Sequence, residues 1–209
     1  DVAARVVGAP GRRVVVVDGP TGAGKTSFAH EVGEAVERRG RPVLRASLDD
    51  FKRPWAERHR YDRESGEGYY RNAFDLGRVR TELVAAFRTT DAVALCGIDP
   101  ITQVDHGSQR DPVGPEDVLL VDGVFALRPE LVDLWDLSVR LVVPPELALT
   151  RGIGRDTDRE GTDAARRVHA TRYAPAERCY VRQADPDHRA DLLVDNADLD
   201  RPLVLDLGR

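Results

Sequence analysis

At 209 residues with 41% hydrophobic side chains, the chain can bury one good core, and a single domain over residues 1–209 is expected. A net charge of −5 repels nucleic acid and anionic membrane surfaces. No apolar run approaches the ~20 residues that span a bilayer, and the first residues carry no signal-peptide apolar region, so a soluble, cytoplasmic protein is expected.

Short apolar runs alternate with amphipathic stretches, the pattern of a parallel sheet with crossover helices. RRVVVVDG, residues 12–19, reads as a strand buried on both faces. A glycine-rich turn follows, then a helix from about Lys25 to Arg39 with Phe28, Val32, Ala35 and Val36 on one side, closed by Gly40. PVLRASLDDF, residues 42–51, is a second strand ending in two acids. Residues 52–72 are polar, aromatic and irregular, too long for a mere connector. A helix over about 76–87 leads to a strand at AVALCGI, residues 92–98, and a loop or hairpin over 99–117. DVLLVDG, LSVRLVVP and ADLLVDN supply three more buried strands. An arginine-rich helix at 145–159 and a polar helix at about 163–183 lie between the last two. The expectation is a three-layer α/β/α domain around a mostly parallel five-stranded sheet. Two cysteines, Cys96 and Cys179, form neither a disulfide framework nor a metal-ligand set, as in a reducing compartment.

Residues Gly19 to Thr26, GPTGAGKT, match G-x-x-x-x-G-K-[ST] between a buried strand and a helix. Glycines let successive N–H groups turn inward around a phosphate, and the helix start adds its positive dipole end. Lys25 is one of only two lysines among 31 basic residues. Its compact charge reaches between β- and γ-phosphates, a role that suits the planar guanidinium poorly. The phosphate-binding candidates are Gly19, Thr21, Gly22, Ala23, Gly24, Lys25, Thr26 and Ser27, with the Thr26 hydroxyl offered to Mg²⁺. A glycine turn that merely caps a helix would not need strand, loop, Lys-Thr and helix in this register.

A P-loop does not by itself choose among GTPases, motor ATPases and small-molecule kinases. The guanine-reading N-K-x-D sequence is absent, since the other lysine, Lys52, follows Phe51. A kinase needs a second site facing the γ-phosphate. Asp49 and Asp50 stand at the carboxyl end of the second strand, on the rim where open α/β sheets bind ligands. A carboxylate there can accept the proton of an attacking hydroxyl, although Asp also caps turns often.

The order P-loop, LDDF (48–51), NAFD (72–75), LLVDGVFAL (119–127), RGIGRD (151–156), RADLLVDN (189–196) resembles the uridine kinase-like P-loop kinases, whose wider relatives include phosphoribulokinase and pantothenate kinase. The likeness runs from about Val14 to Asn196. It implies a P-loop kinase fold with a helical lid over about 150–162, an acceptor-site loop over about 50–75, and ATP and Mg²⁺ as cofactors. By that resemblance Asp49 is the general base, Asp50 lies beside it and Phe51 walls the acceptor pocket. Asp122 is the strand-end acid that serves Mg²⁺ with Thr26. The lid arginines fall on Arg151, Arg155 and Arg159, where guanidinium groups clamp a triphosphate, with Arg155 catalytic alongside Lys25. Arg172, ahead of Tyr173 and Pro175, is a further phosphate- or substrate-facing candidate.

The acceptor site departs from the pattern. Nucleoside-phosphorylating members carry an aspartate shortly before A-F-D, where this chain has GEGYYRN (66–72) and Tyr69 in its place. Ile98, Asp99 and Gln103 stand near the positions of a base-contacting Tyr and His, and His106 is out of register. The 52–72 segment, with Trp55, His59, Arg60, Tyr61, Arg63, Tyr69, Tyr70 and Arg71, suits a planar or anionic acceptor, or is a plain surface loop. Substrate-contact candidates are Asp50, Phe51, Tyr61, Tyr69, Tyr70 and Arg172. The expectation is an ATP-dependent kinase acting on a hydroxyl of a nucleoside-like metabolite. The alternatives are a non-nucleoside acceptor such as a sugar phosphate or pantothenate-like acid, and a nucleotide-binding module without transfer. Nucleic acid and membrane are not expected partners, and a homo-oligomer stays possible.

Overall fold

The computed structural model describes residues 1–58, 60–62 and 64–205. In chain order it has α1 (Val2–Val7), β1 (Arg13–Asp18), α2 (Lys25–Glu37), β2 (Val43–Ser47), α3 (Gly66–Asn72) and α4 (Leu76–Arg78). A π-helical segment, Val79–Ala85, joins α4 to α5 (Ala86–Thr89). Then come β3 (Ala92–Val93), β4 (Asp111–Pro112), β5 (Val118–Gly123), β6 (Leu137–Val142), α6 (Pro145–Glu160) and α7 (Thr162–Val168). The chain continues with α8 (Ala174–Ala184), α9 (Pro186–Arg189), β7 (Leu192–Asp195) and β8 (Leu203–Leu205).

The main sheet has the order β2-β5-β1-β6-β7-β8. Its first five strands are parallel and are the five read from the sequence. The four-valine run explains the layers. Val15 and Val17 of β1 face α1 and α2, while Val14 and Val16 pack with aromatic and aliphatic side chains of α3, the 76–89 helix and α8. Alternation along one strand therefore feeds two cores, and helices must cover both faces.

Three local expectations are corrected. A sixth strand, β8, adds antiparallel to β7; its exposed Leu203, Val204 and Leu205 carry no burial signal that would mark a strand. The 92–98 stretch does not join the main sheet. Only Ala92–Val93 is extended, paired with Asp111–Pro112, because Gly97 and Ile98 donate their N–H groups to the Asp50 carbonyl at 2.9 and 2.8 Å and turn toward the β2 loop. Helix α2 stops at Glu37, and Gly40 closes the following turn with a φ of 86°. The polar helix over 163–183 is continuous but contains a π turn at His169–Tyr173. Pro175 has no N–H to give the preceding turn, and the widened register absorbs that loss. Among the described residues no helix is long and apolar enough to cross a membrane.

Candidate active site

The P-loop leaves β1 and enters α2 at Lys25. Gly22 and Gly24 both take φ values of 84°. A Cβ on Gly22 would drive into the Ala148 carbonyl oxygen of α6, and one on Gly24 would lie 2.9 Å from Asn196 Nδ2. The lid helix and the turn after β7 thus rest directly on the loop, which only glycine allows. Asn196 Nδ2 also donates to the Ala23 carbonyl at 2.7 Å, tying that turn to the loop from beneath. Lys25 Nζ donates to the Pro20 carbonyl at 2.9 Å, folding back over the loop. Its ammonium pKa is lowered by burial, against the opposing pull of Asp18, Asp49, Glu177 and Asp122. Ser27 is exposed on the first turn of α2.

Thr26 Oγ1 donates to Asp122 Oδ2 at 2.8 Å, and Arg45 holds the other carboxylate oxygen at 3.1 Å. Asp122 lies in the register pair Ser47↔Asp122, so the ends of β2 and β5 share one rim. A hydroxyl and a carboxylate side by side are hard oxygen donors of the kind Mg²⁺ takes alongside substrate phosphates. The residues fit the ion. No cluster of three or more acidic, His or Cys ligands occurs among the described residues.

Asp49 follows on a 3₁₀ turn, Leu48–Phe51, capped by Ser47. Its side chain is 52% exposed because it faces a cleft of about 580 Å³. Lys52 Nζ sits 2.7 Å from Asp49 Oδ1. Burial raises the Asp49 pKa, but Lys52, Lys25 and Arg155 together outweigh it and hold the carboxyl below its ordinary value. The base candidate is thus ionised and surrounded by three cations.

The cleft is lined by Thr21, Lys25, Thr26, Asp49 and Asp122 on one side, and by Lys52, Trp55, Arg58, Tyr69, Arg172 and Tyr173 on another. From the lid, Arg155 and Arg159 reach the same space. Arg155 Nε bonds Asp156 at 2.8 Å and Arg159 bonds Glu160 at 2.7 Å. Asp156 is 3% exposed and also accepts from buried His169 Nε2 at 2.8 Å, so it links the lid to the next helix.

Several expected residues lie elsewhere. Phe51 and Tyr70 are in the core, where Tyr70 packs edge-on against Phe125; their apolar rings fill the space between α3 and the sheet. The Asp50 carboxyl stays outside the cleft lining, and burial with the neighbouring Asp49 charge raises its pKa to about 6. Tyr61 is exposed away from the cleft, and Arg71 pairs with Glu67 on the surface of α3. Arg151 donates to the Asn196 and Ala197 carbonyls at 3.0 and 2.6 Å, anchoring the lid rather than facing the cleft. His106 gives its backbone N–H to the Gly97 carbonyl and is not part of the lining. His59 and Arg63 lie outside the described residues. The residues the sequence reading missed are Lys52, Arg58 and His169. Lys52 had a signal, its rarity as one of two lysines, whereas Arg58 is one arginine among many.

A P-loop on a parallel sheet, with a strand-end carboxylate opposite and an arginine lid above, defines a P-loop small-molecule kinase. The model of the phosphoribulokinase / uridine kinase family matches residues 14–196, and the chain belongs to that family. Solved structures share the fold. A possible uridine kinase from Bacillus stearothermophilus is 22% identical, with 92% of this chain and 94% of that chain covered at a TM-score of 0.73. A protein provisionally assigned as a fructose transport system kinase, from Silicibacter sp. TM1040, is 23% identical, with 88% and 95% covered at 0.73. D-glycerate 3-kinase from Cryptococcus neoformans is 13% identical, with 97% and 95% covered at 0.65.

Proposed function

We propose that the protein transfers the γ-phosphate of ATP to a hydroxyl of a nucleoside or nucleoside-like metabolite, with Asp49 as general base. The observation that carries this is the Asp49 carboxylate opening into the same cleft as Lys25 and Thr26. The P-loop amides and Lys25 hold the phosphates. Thr26 and Asp122 would hold Mg²⁺, which would supply charge neutralisation for the phosphates. An acceptor hydroxyl displaces Lys52 from Asp49, gives its proton to the carboxylate and attacks the γ-phosphorus in line, while the bond from that phosphorus to the bridging oxygen breaks and ADP leaves. Arg155 and Arg159 offset charge on the moving phosphoryl group, and their lid shields it from water. The reading takes residues 1–209 as one domain, with the P-loop at 19–26, the acceptor loop at about 50–75 and the lid at about 150–162.

A second reading keeps this chemistry but gives it a non-nucleoside acceptor. It is favoured by the cations Lys52, Arg58 and Arg172 in the cleft where Tyr69 stands for a sugar-gripping acid. The kinase proposal is tested by ADP release from wild type and Asp49→Asn across nucleosides, pantothenate and sugar phosphates. Acceptor-dependent release that the variant loses supports it. No acceptor-dependent ADP release, with ATP binding intact, would leave a nucleotide-binding module.

A further inference from the structure

The cations of the cleft are not equivalent. Arg155 and Arg159 already bond lid carboxylates, Asp156 and Glu160. Lys52 is on Asp49. Arg172 has no hydrogen bond or carboxylate partner among the described residues, and its Nε is sealed from solvent without an acceptor. Its guanidinium lies over the Tyr69 ring, 4.7 Å from the centroid, and 5.8 Å from that of Tyr173. Lys52 Nζ lies over the same Tyr69 ring at 5.7 Å. The ring contacts hold the guanidinium at the cleft and leave its terminal N–H groups to be used. A ligand oxygen cannot reach the sealed Nε, but the terminal nitrogens are not sealed and have no acceptor among the described residues, so they are the donors left for a ligand in the cleft.

Charge points the same way. Among the described residues that line the cleft, Lys52 is paired with Asp49, and Arg172 beside it has no carboxylate partner. Once Asp49 turns to the acceptor hydroxyl, Lys52 loses its partner beside Arg172. A neutral acceptor would leave that positive charge uncompensated in a closing site, whereas an oxyanion compensates it.

We propose that the acceptor carries an oxyanion, a carboxylate or a phosphate, seated on the terminal N–H groups of Arg172 with Lys52 beside it. This rests on the phosphotransfer chemistry proposed above and favours its second reading, an anionic acceptor, over a neutral nucleoside. The hydroxyl to be phosphorylated is on the same molecule, at the distance that lets it meet Asp49 while the anion meets Arg172.

The test is ADP release with matched pairs: glycerol and glycerate, pantothenyl alcohol and pantothenate, ribose and ribose 5-phosphate, uridine and uridine 5′-monophosphate. The same enzyme is given a small-molecule cell extract with γ-¹⁸O-labelled ATP, and labelled products are identified by mass. The expected result is transfer to acids in preference to their neutral partners. The carboxylate and phosphate pairs tell the two sources of the anion apart. With the acceptor so found, Arg172→Gln raises its KM by about 10-fold or more while the KM for ATP and the melting temperature hold, and Arg172→Lys recovers part of the loss. Transfer confined to neutral acceptors, or an Arg172→Gln defect confined to ATP, overturns the inference and leaves the kinase standing. No labelled product from panel or extract overturns the kinase reading and this one with it.

Discussion

Lys52 Nζ stands 2.7 Å from Asp49 Oδ1, so the one lysine outside the P-loop sits on the carboxylate that faces the P-loop lysine across the cleft. The pairing keeps the carboxylate charged and holds one of its oxygens until a hydroxyl replaces the ammonium. Lys52→Gln removes the cation that does most to lower the Asp49 pKa. The acid limb of kcat/KM therefore moves to higher pH in the variant, and Lys52→Arg moves it less. A limb that stays in place would show that the lysine does not govern the base.

Gly22 and Gly154 make a paired test of the lid contact. Gly22→Ala would push a methyl group into the Ala148 carbonyl at a φ of 84°, so both ATP affinity and melting temperature fall. Gly154 lies on the same lid helix with nothing within 4 Å of an added Cβ. There an alanine should stabilise by about 0.5–1 kcal/mol through helix propensity. Thermal melting with and without ATP reads both.

Two of the three lid arginines separate chemistry from anchoring. Arg155→Gln should cut kcat by roughly 10²-fold with melting little changed, since its head group is at the cleft and 61% exposed. Arg151→Gln should instead lower stability by about 1–3 kcal/mol, because it holds the Asn196 and Ala197 carbonyls. Equal effects of both variants on kcat would mean that the two share a role.

Asp50 gives the stability curve a pH dependence of definite sign. Its pKa rises from 3.8 to about 6 on folding, so the folded state holds the proton more tightly than the unfolded one. The associated stability is present below the unfolded value and is lost as pH rises through about 6. Asp50→Asn should therefore melt higher than wild type near pH 8, with the gap closing below about pH 4. An unchanged gap across that range would contradict the assignment.

The parts of the fold set by local pattern were legible in the sequence. Four consecutive valines mark a doubly buried strand, and GPTGAGKT between that strand and a helix marks a phosphate site. The ends of β2 and β5 put Asp49 and Asp122 on the same rim, as strand-end acids suggest. What local pattern does not carry is side-chain direction within the irregular 48–72 stretch. Tyr69 and Tyr70 are adjacent and chemically alike, yet one lines the cleft and the other fills the core, a choice made by the rotation of α3 against α8. Arg151 and Arg155 are one helical turn apart, but Arg151 meets the turn after β7, a contact between segments 45 residues apart. Strand β8 escaped notice because its three exposed residues are held by pairing alone.

The most direct test of the central claim is single-turnover phosphoryl transfer by Asp49→Asn, with ATP binding measured on the same protein. With Asp49 as the base, ATP affinity stays near wild type and transfer slows by roughly 10²-fold or more. Transfer at the wild-type rate would contradict it and remove Asp49 as the base.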